Sequence, residues 1–456
     1  MGLVSHCALA QHDQIPDSTK RHTLRIGVSA LVSAKDELPF WLTANQSGRY
    51  SGHGPLGAVT TVHAFNDPGK DLFSLFYGIE GQVETGQKTT PRLIQAYGGV
   101  KLGFFDLRIG MKEEFFGVND STLSVGNLIY TNNARPIPKV VLETPGWVRS
   151  PILGNVFSFK AYLAHGWFEL DRYQRSAFLH QKFLYIKAVA LNQRLNFIGG
   201  LHHNAQWGGF NPDSEVQQPT GLKNYAKIIL AQSGGDDALM SDQINALGNH
   251  LGTYDFNLSY DLGTFSISNY WQFIWEDRSG LTPFNWRDGL IGLSIKTKNR
   301  NQFISGINLE LVRTSSQDAF KNDNGVEFIE PDNFLNNNVY RSGWTYHNRV
   351  IGNAMFFILN PESRTGTRIK NMINGLNVGL EGKVNEVSYR LNYLSFKNHG
   401  NIQERLSPAL TLNLVSLALQ YTKGVHHIGA HGAMEWGKYP GRNLGFRVSY
   451  ARDLRF

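Results

Sequence analysis

The 456-residue chain contains no run of roughly 20 apolar residues, so it offers no α-helix able to cross a bilayer. Charge is scarce as well: Asp, Glu, Lys and Arg make up 18% of residues, against about 25% in ordinary soluble domains. The single cysteine, Cys7, sits at the extreme N-terminus, which excludes an internal disulfide and leaves the folded body without a thiol. Signatures of catalysis are missing too. There is no Gly-x-Ser-x-Gly elbow, since Gly27-Val28-Ser29-Ala30 lacks the second glycine, and there is no phosphate-binding glycine loop. The neighbouring acids Glu113-Glu114 and Asp236-Asp237 diverge on extended chain, so neither pair makes an acid/base couple by itself. His202-His203 and His426-His427 point to opposite faces of a strand and cannot share one metal ion. No catalytic residue, metal site or cofactor is assigned.

What the chain does have is 12% aromatic residues, 47 glycines and a mean hydropathy of -0.29. That mixture of aromatic and polar is the composition of a barrel that crosses a membrane with strands. The C-terminus carries the strongest local signal. From Asn443 to Phe456 the positions Leu444, Phe446, Val448, Tyr450, Leu454 and Phe456 are apolar, and the intervening ones are mostly small or polar, with Arg452 the exception. The terminal aromatic Phe456 is the mark read by barrel insertion machinery. Similar alternation runs through Leu24, Ile26, Val28, Ala30 and Val32, through Phe265 to Trp275, and through Ile307, Leu309 and Leu311. The opposite positions, such as Ser294, Lys296, Glu381 and Lys383, suit a wet lumen, because charge cannot face lipid cheaply.

Counting along the chain gives about 18 such segments, including one near 40–50, and predicts an all-β fold: a transmembrane antiparallel β-barrel with short helices in its loops. Residues 1–11 read as the remnant of a secretory signal, with Ala8-Leu9-Ala10 as its small-residue end and its true start upstream. Residues 12–23 read as a tail and 24–456 as the barrel. Long loops are expected near 113–153, 208–248 and 314–371, with short helices over Gly221–Ala231 and Tyr346–Leu359. Phe40, Trp41, Tyr50, Trp271, Trp275 and Trp436 are candidates for the interfacial aromatic girdles.

Two stretches stand out as candidate ligand sites. In Leu128 to Val140, Pro136 and Pro138 push the preceding residues into extended geometry, which makes a stiff path able to present Asn132, Asn133 and Arg135. The same stretch, folded inward, would narrow the pore. In Leu201 to Phe210, Asn204, Gln206 and Trp207 combine amides with an indole face, the pairing that holds sugar hydroxyls and sugar C–H faces. A glycine turn at a strand end is the plain structural alternative. The net charge of +7 favours anionic partners, but Lys and Arg are scattered singly, which argues against nucleic acid.

Several residues together resemble the capsule assembly Wzi family: Leu38-Pro39-Phe40-Trp41, Ser124-Val125-Gly126-Asn127-Leu128, Asn133-Ala134-Arg135-Pro136-Ile137-Pro138, Gly146, Gly166-Trp167-Phe168 and His203 to Gly209. The resemblance implies an outer-membrane barrel of a Gram-negative bacterium that acts as a lectin, anchoring capsular or other surface polysaccharide or helping to assemble it. Family members with a periplasmic helical region before the barrel have more N-terminal sequence than appears here. Outer-membrane lipid and lipopolysaccharide are the expected surroundings, and a monomer is the expected state. A porin or specific channel is the alternative, separated by whether the loops plug the barrel. An outer-membrane lipid- or glycan-hydrolysing enzyme is a further one, and a soluble carbohydrate-active sandwich is the fallback.

Overall fold

Eighteen antiparallel strands close into a barrel in this computed structural model, which describes residues 22–52, 54–66, 69, 71–150, 156–244, 246–276, 287–317, 332–359, 368–438 and 441–456. The signal remnant expected over 1–11, and the tail as far as residue 21, lie outside the described residues. In chain order the strands are β1 (His22–Ser33), β2 (Leu56–Asn66), β3 (Phe73–Thr85), β4 (Thr90–Leu102), β5 (Phe105–Met111), β6 (Lys139–Glu143), β7 (Phe157–Trp167), β8 (Phe178–Ala190) and β9 (Leu195–Trp207). They continue as β10 (Asn249–Asp261), β11 (Phe265–Glu276), β12 (Gly289–Thr297), β13 (Gly306–Arg313), β14 (Ile373–Val384), β15 (Val387–Gly400), β16 (Arg405–Lys423), β17 (His426–Gly437) and β18 (Asn443–Arg455). Val148–Arg149 also pairs with β7 and prolongs β6 as one interrupted strand.

Closure is made by β1 against β18, with Leu24 opposite Leu454 and Val28 opposite Tyr450. Arg25 seals the seam from inside: its Nε and Nη2 donate to Asp453 Oδ1 and Oδ2 at 2.6 and 2.8 Å, across a directly opposed pair. The period-two pattern sorts side chains cleanly. On β8 Leu184 is 50% exposed while Tyr185 is buried, and on β18 Val448 is 58% exposed while Arg447 is buried. An outer wall of exposed Leu, Ile, Val and Phe around a polar inner face is stable only where hydrocarbon surrounds it. Trp271, Trp275 and Trp436 lie on the outer face of the wall, where Trp275 is buried and stacked on His203 rather than exposed. Phe40, Trp41 and Tyr50 do not, because they pack within the barrel.

Connections sort by rim. On one rim the strands are joined at 67–72, 103–104, 191–194, 262–264, 385–386 and 424–425, all short, and at the longer 144–156 and 298–305, and β1 begins and β18 ends there. The opposite rim carries 34–55, 112–138, 208–248 and 314–372. This asymmetry is that of outer-membrane barrels, whose long loops face outward.

Three local expectations are corrected. The segment near 40–50 is not a strand: Pro39 leads into the helix α1 (Phe40–Thr43), and positive φ at Asn45, Ser47 and Gly48 turns the chain on itself. The 113–153 loop in turn contains β6, whose five residues were hidden behind Pro136 and Pro138, so the two errors cancel in the count. Gly221–Ala231 does hold a helix, α2 (Leu222–Leu230), followed by α3 (Met240–Ile244). Tyr346–Leu359 does not. There Thr345-Tyr346 pairs with Arg349-Val350 around His347 and Asn348, both in the left-handed region, which makes a two-residue hairpin.

If the outer wall lies in hydrocarbon, Leu184→Arg should destabilise the folded barrel by about 2–4 kcal/mol in lipid vesicles. Urea unfolding followed by tryptophan fluorescence would measure it, and an unchanged midpoint would contradict the lipid-facing assignment.

Candidate functional site

The long-loop side of the barrel is filled from within. Residues 112–138 leave β5, run down inside the barrel towards the short-turn rim, and return to β6. At its lowest point Asp120 accepts from Lys296 Nζ at 2.7 Å and from the Ser294 hydroxyl, while Asn257 Nδ2 donates to Val118 O at 2.8 Å. Higher up, Val125 N donates to Glu310 Oε2 at 2.8 Å and Leu128 N to Gln272 Oε1 at 3.2 Å, and Asn377 Nδ2 donates to Leu123 O at 3.0 Å. Inward-facing strand side chains thus supply the partners that the inserted backbone lacks. Leu128 and Ile129 are completely buried, and Ile137 nearly so.

Two further inserts seat on this one. From 34–55, Asn45 Nδ2 donates to Val125 O at 3.2 Å, and Ser47 N donates to Asn132 O at 2.5 Å. From 332–359, Thr131 N donates to Ile351 O at 2.8 Å, and the fully buried Trp344 donates through Nε1 to Ile129 O at 2.6 Å. Trp41, Leu42, Leu128, Ile129, Trp344 and Phe356 belong to one buried cluster, so the hydrophobic core lies inside the barrel. Below the plug, at the short-turn rim, a polar cavity of about 200 Å³ opens between Asp120, Ser268, Ser294, Lys296 and Arg300.

The plug is pinned by charge as well as by backbone. Glu114 accepts from Arg108, from Lys139, from the Tyr162 hydroxyl at 2.7 Å and from the Tyr130 hydroxyl at 3.2 Å. Burial opposes ionisation of Glu114, but Lys139 and Arg108 outweigh it and hold the carboxyl at about 2. Asp120 is held at about 2 in the same way, burial being overcome by Lys296.

The six sequence-assigned site residues fall into three places. Asn132, Asn133 and Arg135 lie in the plug near the long-loop rim. Asn133 is buried, its Nδ2 donating to Val350 O at 2.9 Å, so it holds the 345–350 hairpin rather than facing solvent. Asn132 and Arg135 are half-buried, and no hydrogen bond or ion pair of the Arg135 side chain is found among the described residues. Asn204 and Gln206 face the lumen, fully buried, with Gln206 Nε2 donating to Gly343 O at 3.1 Å. Trp207 points the other way, to the outside of the wall. There α2 covers it, with the Tyr225 ring stacked at 5.2 Å, so the indole face is already occupied. His202 and His203 do part to opposite faces: His202 meets Phe116 of the plug, while His203 Nε2 lies 2.8 Å from His250 Nδ1 on the outer side.

Sequence reasoning placed Ser294 and Lys296 on the lumen face but did not single out Asp120, Gln272 or Glu310 as plug anchors. Glu310 carried a readable signal, a carboxylate between the outward Leu309 and Leu311; the cap at 332–359 carried none, because its contacts all lie far away in sequence. At the short-turn rim Thr422, His427 and Asp453 line up, with Oγ1···Nδ1 at 3.3 Å and Nε2···Oδ2 at 3.2 Å. Asp453 is clamped there by both Arg25 nitrogens, which makes the set part of the closure seam rather than an activated nucleophile. Among the described residues no group of three or more His, Cys, Asp or Glu is placed to hold a metal ion.

The family model described as capsule assembly protein Wzi matches residues 26–357. No curated protein sequence matches the chain. Among solved structures the barrel is similar to Wzi of Escherichia coli, an outer-membrane protein involved in group 1 capsule assembly and described as a carbohydrate-binding β-barrel. The TM-score is 0.62 at 15% identity, covering 93% of this chain and 83% of that one. It is also similar to OccK5 (OpdH) of Pseudomonas aeruginosa, with a TM-score of 0.51 at 9% identity, covering 96% and 98% of the two chains. At such identities the likeness is one of fold.

Two outcomes follow from the plug. Reconstituted in a planar bilayer, the protein should give no stable conductance steps, whereas replacing 119–132 by a short Gly-Ser linker should open a pore; equal conductance of the two would contradict a filled lumen. Because Glu114 is held below the ordinary unfolded value of about 4.3, its stabilisation is complete above that value and is lost as pH falls through about 2. Glu114→Gln should therefore lower stability at pH 7, by up to about 3–5 kcal/mol, and flatten the loss of melting temperature on acidification across that window.

Proposed function

The chain belongs to the capsule assembly protein Wzi family, and from that premise we propose that it is a non-catalytic lectin of the Gram-negative outer membrane, which binds surface polysaccharide at its long-loop rim and anchors it or helps it assemble. The observation that carries this reading is the filled lumen. A diffusion porin needs an aqueous path, and here Leu128, Ile129 and Trp344 occupy the place where that path would run. A barrel whose interior is packed presents a rigid outward surface, and rigid presentation lowers the ordering cost of binding a flexible glycan chain.

The carbohydrate-binding surface proposed is centred on Asn132 and Arg135, the two half-buried members of the sequence-assigned set, next to the exposed hairpin tip His347-Asn348. Asn133 and Gln206 support it from beneath by fixing the cap, Asn204 lies buried on the lumen face beside Gln206, and Trp207 supports it through the packing of α2. Family membership and the likeness to Wzi of Escherichia coli, named as a carbohydrate-binding barrel, support the ligand class. Lipid and lipopolysaccharide surround the apolar wall, insertion machinery reads the C-terminal Phe456, and the barrel acts as a monomer.

Deleting the gene should lower cell-bound polysaccharide and raise the amount shed into the medium, and re-expression should restore the balance. Unchanged retention by a protein that fractionates with the outer membrane would remove the anchoring role. A conductance in the intact protein would bring back the channel reading.

A further inference from the structure

Three arginines meet at the long-loop rim around one short stretch of backbone, residues 48–50. Arg92 Nη1, from the start of β4, donates to Arg49 O at 3.2 Å. Arg349, from the 345–350 hairpin, donates through Nη2 to Tyr50 O at 2.6 Å and through Nη1 to Thr43 O at 3.4 Å. Arg135, from the plug, lays its stem on Gly48: a Cβ at that glycine, whose φ is +63°, would stand 2.7 Å from Arg135 Cγ. Arg92, Arg135 and Arg349 arrive from three separate elements, so the convergence exists only in the folded barrel.

Opposing charge is short. Glu84 pairs with Arg92 and also takes Ser51 N and Oγ, so its lone pairs are engaged. Glu169 is taken by Arg172 Nη1 at 3.3 Å and by His347 N at 3.2 Å. Arg349 satisfies itself on carbonyl oxygens alone among the described residues, and Arg135 has no partner there. Burial, followed by the charge of Arg92, lowers Arg135 below the ordinary arginine value. Burial, then Arg92 and Arg135, does the same to Arg349, with Glu84 opposing. Keeping like charges this close in partly desolvated surroundings costs free energy that an arriving anion would return. Both Arg135 and Arg349 keep a share of solvent exposure, beside the exposed His347 and Asn348.

We propose that Arg135 and Arg349, backed by Arg92, form a subsite for the carboxylate of a sugar acid in the bound polysaccharide. The inference rests on the glycan-binding reading above and narrows it to acidic glycans. A planar guanidinium fork takes a carboxylate through two parallel hydrogen bonds, which an ammonium cannot do. Asn132, on the same edge of the plug, is placed to serve the hydroxyls of the same residue.

The test uses the full chain in detergent and the surface polysaccharide extracted from the cells that make it, compared with the same material after chemical reduction of its carboxyl groups to alcohols. Wild type should bind the native glycan about tenfold more tightly than the reduced one, the scale of a charge-assisted hydrogen-bonded pair. Arg135→Gln should erase that difference, Arg135→Lys should restore only part of it, and Lys223→Gln on the exposed face of α2 should leave it intact. Migration of the unheated protein as a folded barrel on gels verifies each variant, and free glucuronate, but not glucose, should displace the native glycan. Equal binding of native and reduced glycan would overturn the subsite while leaving glycan binding standing. Arg135-dependent binding that survives reduction would replace the carboxylate by a phosphate. Binding of neither glycan would remove the lectin reading and this inference with it.

Discussion

A sheet immersed in hydrocarbon can leave no backbone N–H or C=O unpaired, and that constraint organises this molecule. Water offers a partner to a free strand edge, whereas lipid does not, so the pairing of β1 with β18 is a condition for the other seventeen ladders to exist in a bilayer. An even number of antiparallel strands brings both ends of the sheet to one rim. The other rim is thereby free to carry the four longest excursions, 34–55, 112–138, 208–248 and 314–372.

Closure creates a second problem, an inner face of side chains such as Glu310, Gln272 and Asn377 that are too polar for an apolar core. The chain answers it with its own backbone. Segment 112–138 enters as irregular structure whose N–H and C=O groups need partners, and the inner wall supplies them. Each set satisfies the other. Once the segment is in place, its apolar side chains and those of 34–55 and 332–359 meet at the centre and form the packed core. Irregular backbone at membrane depth is tolerated because protein, rather than lipid, surrounds it.

The same packing bears on function. With the lumen filled, what the protein offers to the outside is a stiff, largely hydrogen-bonded mouth, and the side chains left with unspent capacity there are few. Arg135 is the clearest of them. Its neighbours Arg92 and Arg349 are held by carbonyl oxygens and by Glu84, and this keeps the three guanidinium groups together against their mutual repulsion. A surface that balances its charges deep inside, as Arg108, Glu114 and Lys139 do, and leaves them unbalanced at the mouth is arranged for an anionic partner.

The wall was legible from the sequence by itself. Period-two alternation is a local property, and in Leu444, Phe446, Val448 and Tyr450 it states which side chains face lipid before any partner strand is known. The Asn133–Pro138 stretch was legible as unusual, since proline restricts its neighbours whatever surrounds them. The short strand Lys139–Glu143 was not, because five residues behind two prolines carry too little pattern, and the run near 40–50 misled because its apolar residues are buried by tertiary contacts rather than by a sheet. Only the tertiary structure decided that the barrel is plugged and that Trp207 is covered while Arg135 is not. It alone brought Arg92 and Arg349 to Arg135, since these contacts join residues far apart in sequence and leave no mark on the residues between them.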